Sequence, residues 1–102
     1  MKTRIEKQDH INELLSGNFT GLVYFYTPIC GTCQVASKML AVVEELLPER
    51  HVLKIDLNYH PLLSEKLKIE SVPCLLVLDK GMVSDKIYAF KSVTDLLERV
   101  NE

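Results

Sequence analysis

The stretch Leu22-Val23-Tyr24-Phe25-Tyr26-Thr27-Pro28-Ile29-Cys30-Gly31-Thr32-Cys33 joins an unbroken apolar and aromatic run to a pair of cysteines three residues apart. Leu22 to Tyr26 presents apolar or aromatic side chains to both faces of a strand, which predicts a central place in a sheet. Beyond the cysteines, Ala36, Leu40, Val43 and Leu47 make one apolar row at helical spacing, and Val35, Met39, Val42 and Leu46 make a second. Gln34, Ser37, Lys38, Glu44 and Glu45 fall on the opposite side, so a long helix with a wide buried stripe is expected. Pro48 ends that pattern.

The cysteines thus stand where a strand turns into a helix, and two facts of geometry matter there. Residues three apart at a helix start lie close enough for a disulfide with modest adjustment. A helix N-terminus also offers free N–H groups and a partial positive charge, which favour a thiolate on the first cysteine. Cys30 should therefore be exposed and nucleophilic, and Cys33, one turn in, more buried. Gly31 and Thr32 leave little bulk over the pair. Such a pair supports a dithiol cycle in which Cys30 attacks a substrate disulfide and Cys33 then attacks Cys30 to release reduced substrate. A Cys-x-x-Cys is also half of a zinc site, but the chain has no second such pair and no His-x-x-x-His.

Outward from this centre, Ile11, Leu14 and Leu15 follow helical spacing up to Gly17, and Thr3–Glu6 has some strand character. Val52 to Asp56 reads as a second strand, and Pro61 to Leu67 as a short helix with proline in its first turn. Cys74 to Leu78 reads as a third strand. Asp79-Lys80-Gly81 marks a turn, and Ser84 to Phe90 a fourth strand, antiparallel to the third. Val93, Leu96, Leu97 and Val100 give a last amphipathic helix capped by Ser92. The first two strands flank a helix and so require a parallel crossover. The expected architecture is α/β: one mixed sheet of four or five strands with helices on both faces, a single domain over 1–102.

The 102 residues carry a formal net charge of −2, which argues against nucleic acid or an anionic membrane as a partner. No apolar run approaches a membrane span. The opening residues, Met1 to Lys7, show no apolar core or cleavage pattern, so a cytoplasmic chain is expected. Three cysteines are too few for a disulfide scaffold, and in a reducing compartment a close pair points to catalysis or metal.

With these residues in view, the chain resembles the thioredoxin family. The resemblance rests on Tyr26 to Cys33 after a hydrophobic strand, on Ser71-Val72-Pro73 before the Cys74–Leu78 strand, and on the Asp79-Lys80-Gly81 hairpin. It implies a thioredoxin fold and a thiol–disulfide oxidoreductase with a part in cell redox homeostasis. The partners it implies are disulfide-containing proteins and a reductant, either an NADPH-dependent flavoprotein reductase or a low-molecular-weight thiol. No bound cofactor or metal is implied. Catalysis would fall to Cys30 and Cys33, and substrate contact to Ile29, Gly31, Thr32, Val72 and Pro73. From the residues alone, Pro73 reads as an ordinary trans proline at a strand start. The resemblance instead implies a cis Val72–Pro73 bond facing the cysteines.

The chain departs from the family at several places. Ile29 stands where a thioredoxin has tryptophan, Thr32 and Lys38 where it has prolines, and Tyr88 nearest to a glycine beside the substrate groove. Lys38 predicts a straighter helix, and Tyr88 a narrower groove. Tyr24 occupies the place of a buried aspartate that serves the second cysteine, which predicts slow resolution of mixed disulfides. Lys54 matches the partner of that aspartate and so is expected to lack one. It would snorkel to solvent or share a hydrogen bond with the Tyr24 hydroxyl, unless Tyr24 is plain core and Lys54 merely solvated. Cys74 follows Pro73 and is expected beneath the cysteine pair. It reads either as a small buried apolar residue or as a third thiol or metal ligand, with His60 the nearest candidate for a fourth. His10 and His51 read as surface residues. Two alternatives to the redox reading stand: a non-catalytic binding module on this fold, and a metal or iron–sulfur site on Cys30, Cys33 and Cys74.

Overall fold

A computed structural model describes residues 17–101. The helix expected around Ile11, Leu14 and Leu15, the pairing at Thr3–Glu6 and His10 lie outside the described residues. The described elements run β1 (Gly21–Tyr26), α1 (Gly31–Leu46), β2 (Val52–Asp56), a 3-10 turn (Leu57–Tyr59), α2 (Pro61–Leu67), β3 (Cys74–Asp79), β4 (Met82–Ile87) and α3 (Val93–Val100).

The four strands form one sheet in the order β2-β1-β3-β4. β1 pairs with β2 in parallel across the α1 crossover, and antiparallel with β3. Its first five residues are buried, as its two apolar faces require of a strand with neighbours on both sides. One core lies between the sheet and α2, built on Val23, Phe25, Leu53, Ile55, Leu63, Cys74 and Leu76. The other lies under α1 and α3, on Leu22, Tyr24, Ala36, Leu40, Val43, Leu75, Ile87 and Leu96. Each fully buried leucine or isoleucine here contributes on the order of 1.5–3 kcal/mol.

Two expectations are corrected. β4 begins at Met82 and ends at Ile87, rather than running from Ser84 to Phe90. Lys80 and Gly81 both take positive φ, so a two-residue turn closes the hairpin at once and the strand starts earlier. A Cβ on Gly81 would collide with the Gly17 carbonyl, so glycine is needed there. A bulge at Val77/Leu78 leaves Ser84 outside the ladder register, and its hydroxyl donates to the Val77 carbonyl at 3.1 Å. Tyr88 to Phe90 leave the sheet and line a cleft described below.

The second correction concerns α1, a continuous 16-residue helix. Ala36, Leu40 and Val43 of the first apolar row lie in the core, with Leu47 and, from the second row, Met39 packed against it. Val35, Val42 and Leu46 of the second row are exposed. The helix is turned about its axis so that the flank carrying Ser37 and Glu44 meets the sheet instead.

Candidate active site

Cys30 is the N-cap of α1, with an extended backbone that leaves its side chain over the helix start. Its sulfur accepts from the Cys33 amide at 3.2 Å and shares a 3.2 Å hydrogen bond with Thr32 Oγ1. The Cys33 thiol and then the Thr32 hydroxyl hold the Cys30 thiol below its ordinary pKa. Cys33, only 2% exposed, is pushed up to about 11 by burial first and by its bond to Cys30 second. The local sequence causes this asymmetry: the cap residue faces the free N–H groups, and the residue one turn later faces the core.

The loop before β3 closes the site. The Val72–Pro73 peptide bond is cis, and the Val72 carbonyl lies 4.0 Å from Cys30 Sγ. A cleft of about 430 Å³ opens beside the sulfur, lined by Thr32, Val35, Val72, Pro73, Tyr88 and Phe90, with Ala36 and Ala89. Tyr88 stands in its wall, held by a 3.2 Å bond from the Glu70 amide to its hydroxyl. Ile29, which precedes Cys30, is 93% exposed. Gly31 has open space where a Cβ would be. Thr32 and Val72 therefore reach the Cys30 sulfur and Pro73 lines the cleft, while Ile29 and Gly31 stand beside Cys30 in the chain. Phe90 and Ala89 join them unforeseen, because their place in the cleft depends on where β4 stops.

The neighbours of Cys33 differ from expectation. Tyr24, 1% exposed, donates from its hydroxyl to the Cys33 carbonyl at 3.0 Å and bonds Ser37 Oγ at 2.9 Å. Burial pushes its phenol up to about 12, so it remains a donor throughout the neutral range. Lys54 neither lacks a partner nor reaches Tyr24. It pairs with Glu44 of α1 at 3.0 Å. Glu44 and Ser37 lie seven residues apart, two turns along one helix flank, so the spacing puts them on one face, where Ser37 meets Tyr24 of β1 and Glu44 meets Lys54 of β2. Polarity alone assigns them to solvent, because the helix's rotation is a tertiary choice.

Cys74 does not sit beneath the cysteine pair. It pairs in register with Phe25 and faces the α2 core, whereas Cys33 belongs to α1 on the other side of the sheet. Burial pushes its thiol up to about 11, opposed by a hydrogen bond with Tyr88. A three-cysteine metal site is thereby excluded by geometry. Among the described residues, no group of three or more His, Cys, Asp or Glu side chains converges to hold a metal ion. His60 precedes α2 as its N-cap residue, without a side-chain cap bond. Among those residues no helix is long and apolar enough to cross a membrane.

A family model described as Thioredoxin matches residues 2–102. The thioredoxin-like protein YusE of Bacillus subtilis is 47% identical over 81 residues, covering 79% of this chain and 76% of that protein. A thioredoxin of Staphylococcus saprophyticus is 33% identical over 86 residues, covering 79% of each. In fold, the chain is similar to chloroplastic thioredoxin z, with a TM-score of 0.79 at 24% identity, covering 99% of this chain and 93% of that one. A mutant thioredoxin of Halobacterium salinarum superposes with a TM-score of 0.80 at 21% identity, covering 98% and 88%. Whole-length family match, close relatives and shared architecture agree with the paired thiols: the chain belongs to the thioredoxin family of thiol–disulfide oxidoreductases.

Proposed function

We propose that this chain reduces disulfides of proteins, with Cys30 as the attacking thiolate and Cys33 as the resolving thiol. The observation that carries the reading is the split between the two thiols at one helix start, Cys30 lowered and open, Cys33 raised and buried. The Cys30 thiolate attacks one sulfur of the substrate disulfide, and the other leaves as a thiolate that takes up a proton. Cys33 then loses its proton and attacks Cys30 Sγ. The second substrate thiolate departs, and the Cys30–Cys33 disulfide remains. Two electrons have passed to the substrate. An NADPH-dependent flavoprotein reductase or a low-molecular-weight thiol returns them. Ile29, Gly31, Thr32, Val72 and Pro73 supply the contact surface, with the Val72 main chain beside the incoming sulfur. The reading places the chain in a reducing compartment, the cytoplasm, which its sparse cysteines support.

The test is a trapping experiment. Cys33→Ser should hold substrates as mixed disulfides on Cys30, and mass spectrometry would identify them. Cys30→Ser should capture at least about tenfold less, since its remaining thiol is buried and protonated. Equal capture by the two variants contradicts the assigned roles.

A further inference from the structure

Three apolar side chains on one flank of α1 are left over by the core, and a fourth, Met39, packs against it in part. Val35 is 58% exposed, Val42 45% and Leu46 56%, with Met39 half-buried among them. Their spacing of four, three and four residues sets them in one line down the helix, about 16 Å long at 1.5 Å per residue. The other flank is held to the sheet through Tyr24–Ser37 and Lys54–Glu44. The apolar line therefore faces away from β2, on the side where Met39 joins Phe90, Val93 and Leu97 against a shared core.

The line is not isolated. Val35, its first member, is also a wall of the cleft beside Cys30. Cleft and line form one apolar surface that begins at the nucleophile and ends at the last residue of α1. Single exposed apolar residues are ordinary, but a continuous strip leading out of a reactive cleft marks a contact surface.

We propose that this strip is the outer half of the substrate-docking surface. Its occupant is an apolar segment of a protein substrate, flanking the disulfide cysteine and carrying its side chains at helical spacing. The inference rests on the dithiol reading above. A sulfur delivered to Cys30 occupies the cleft, and a chain that leaves the cleft past Val35 runs onto Met39, Val42 and Leu46. A helix laid along them buries apolar area on both partners. A small thiol's disulfide ends at the cleft and gains nothing from Val42 or Leu46. The strip thus selects protein over low-molecular-weight disulfides.

Two synthetic peptides test this. Each carries one cysteine as a mixed disulfide with thionitrobenzoate, followed by a 14-residue helix. One helix has leucines at three- and four-residue spacing, and in the other these are serines. Reduction is followed by thionitrobenzoate release. The chain should prefer the leucine peptide by about tenfold in kcat/KM. In V42E/L46E that preference should fall to about unity. Equal rates on both peptides, or a preference that survives in V42E/L46E, overturns the proposal. So does a sedimentation shift from dimer to monomer in V42E/L46E, which would make a second copy of the chain the occupant. Failure of the dithiol reading looks different: neither peptide would then react faster than with Cys30→Ser.

Discussion

At Cys30 and Cys33, two identical side chains three residues apart have opposite acid strengths. The Cys33 thiol and a threonine hydroxyl stabilise one thiolate, while burial suppresses the other. The two half-reactions should therefore differ in pH dependence. Attack by Cys30 should level off once its thiolate is fully formed, below the range of an ordinary thiol. Resolution by Cys33 should keep rising with pH beyond that point, because its proton is held up to about 11. Stopped-flow measurement between pH 6 and pH 9 would separate them, and a resolution step that levels off together with attack would contradict the assignment. Thr32→Val removes one hydroxyl donor from Cys30 and should slow its alkylation by iodoacetamide at pH 7 by roughly threefold. The split between an open first thiol and a buried second was legible in the sequence because it follows from position along one helix start. The partner of Lys54 was not, since Glu44 reaches it only through the contact of helix with strand.

At the scale of elements, Tyr24 ties β1 to the first turn of α1. Its hydroxyl bonds Cys33 O and Ser37 Oγ, and its ring lies 5.7 Å from that of Tyr26, stacked, and 6.0 Å from that of Phe90. Tyr24→Phe keeps the packing and removes both bonds, which should cost about 1–2 kcal/mol in urea unfolding. It should also raise amide exchange in the first turn of α1. A variant as stable as the parent would mean the tie carries no weight. α3 is tied to β4 in a comparable way, by a two-pronged contact in which Arg99 donates to Asp85 at 2.8 and 2.9 Å. The existence and type of α1, β1 and α3 were readable from period and caps. The rotation of α1 was not. Two adjacent apolar rows at the same period give two candidate buried faces, and only contact with the sheet chooses between them.

For the whole molecule, three acids among the described residues are buried in their protonated forms. Tyr24 is raised from 10.0 to about 12, and Cys33 and Cys74 each from 9.0 to about 11. Between pH 9 and 12 the unfolded chain gives up protons that the folded chain keeps, so stability must fall as pH rises. The contribution is complete below pH 9 and disappears as pH passes the folded values. The reduced protein should lose on the order of 1–3 kcal/mol between pH 8 and pH 10.5, read from urea midpoints. Cys74→Ala, whatever it costs at pH 8, should flatten that slope. A slope unchanged by the substitution would show that Cys74 titrates alike in both states.

The sequence by itself determined the order of the described elements, the parallel crossover, the hairpin and the dithiol at a helix N-terminus. All of these depend on local period, turn chemistry and chain connectivity. Tertiary structure alone decided what lies across the sheet and across the helix. It put Cys74 on the face away from Cys33, gave Lys54 to Glu44, ended β4 at Ile87 and left Val35, Val42 and Leu46 on the surface. The physical reason is common to all four. A side chain's direction relative to its own element is set by backbone geometry, whereas the neighbour it meets depends on how two elements pack, which no single stretch of chain encodes.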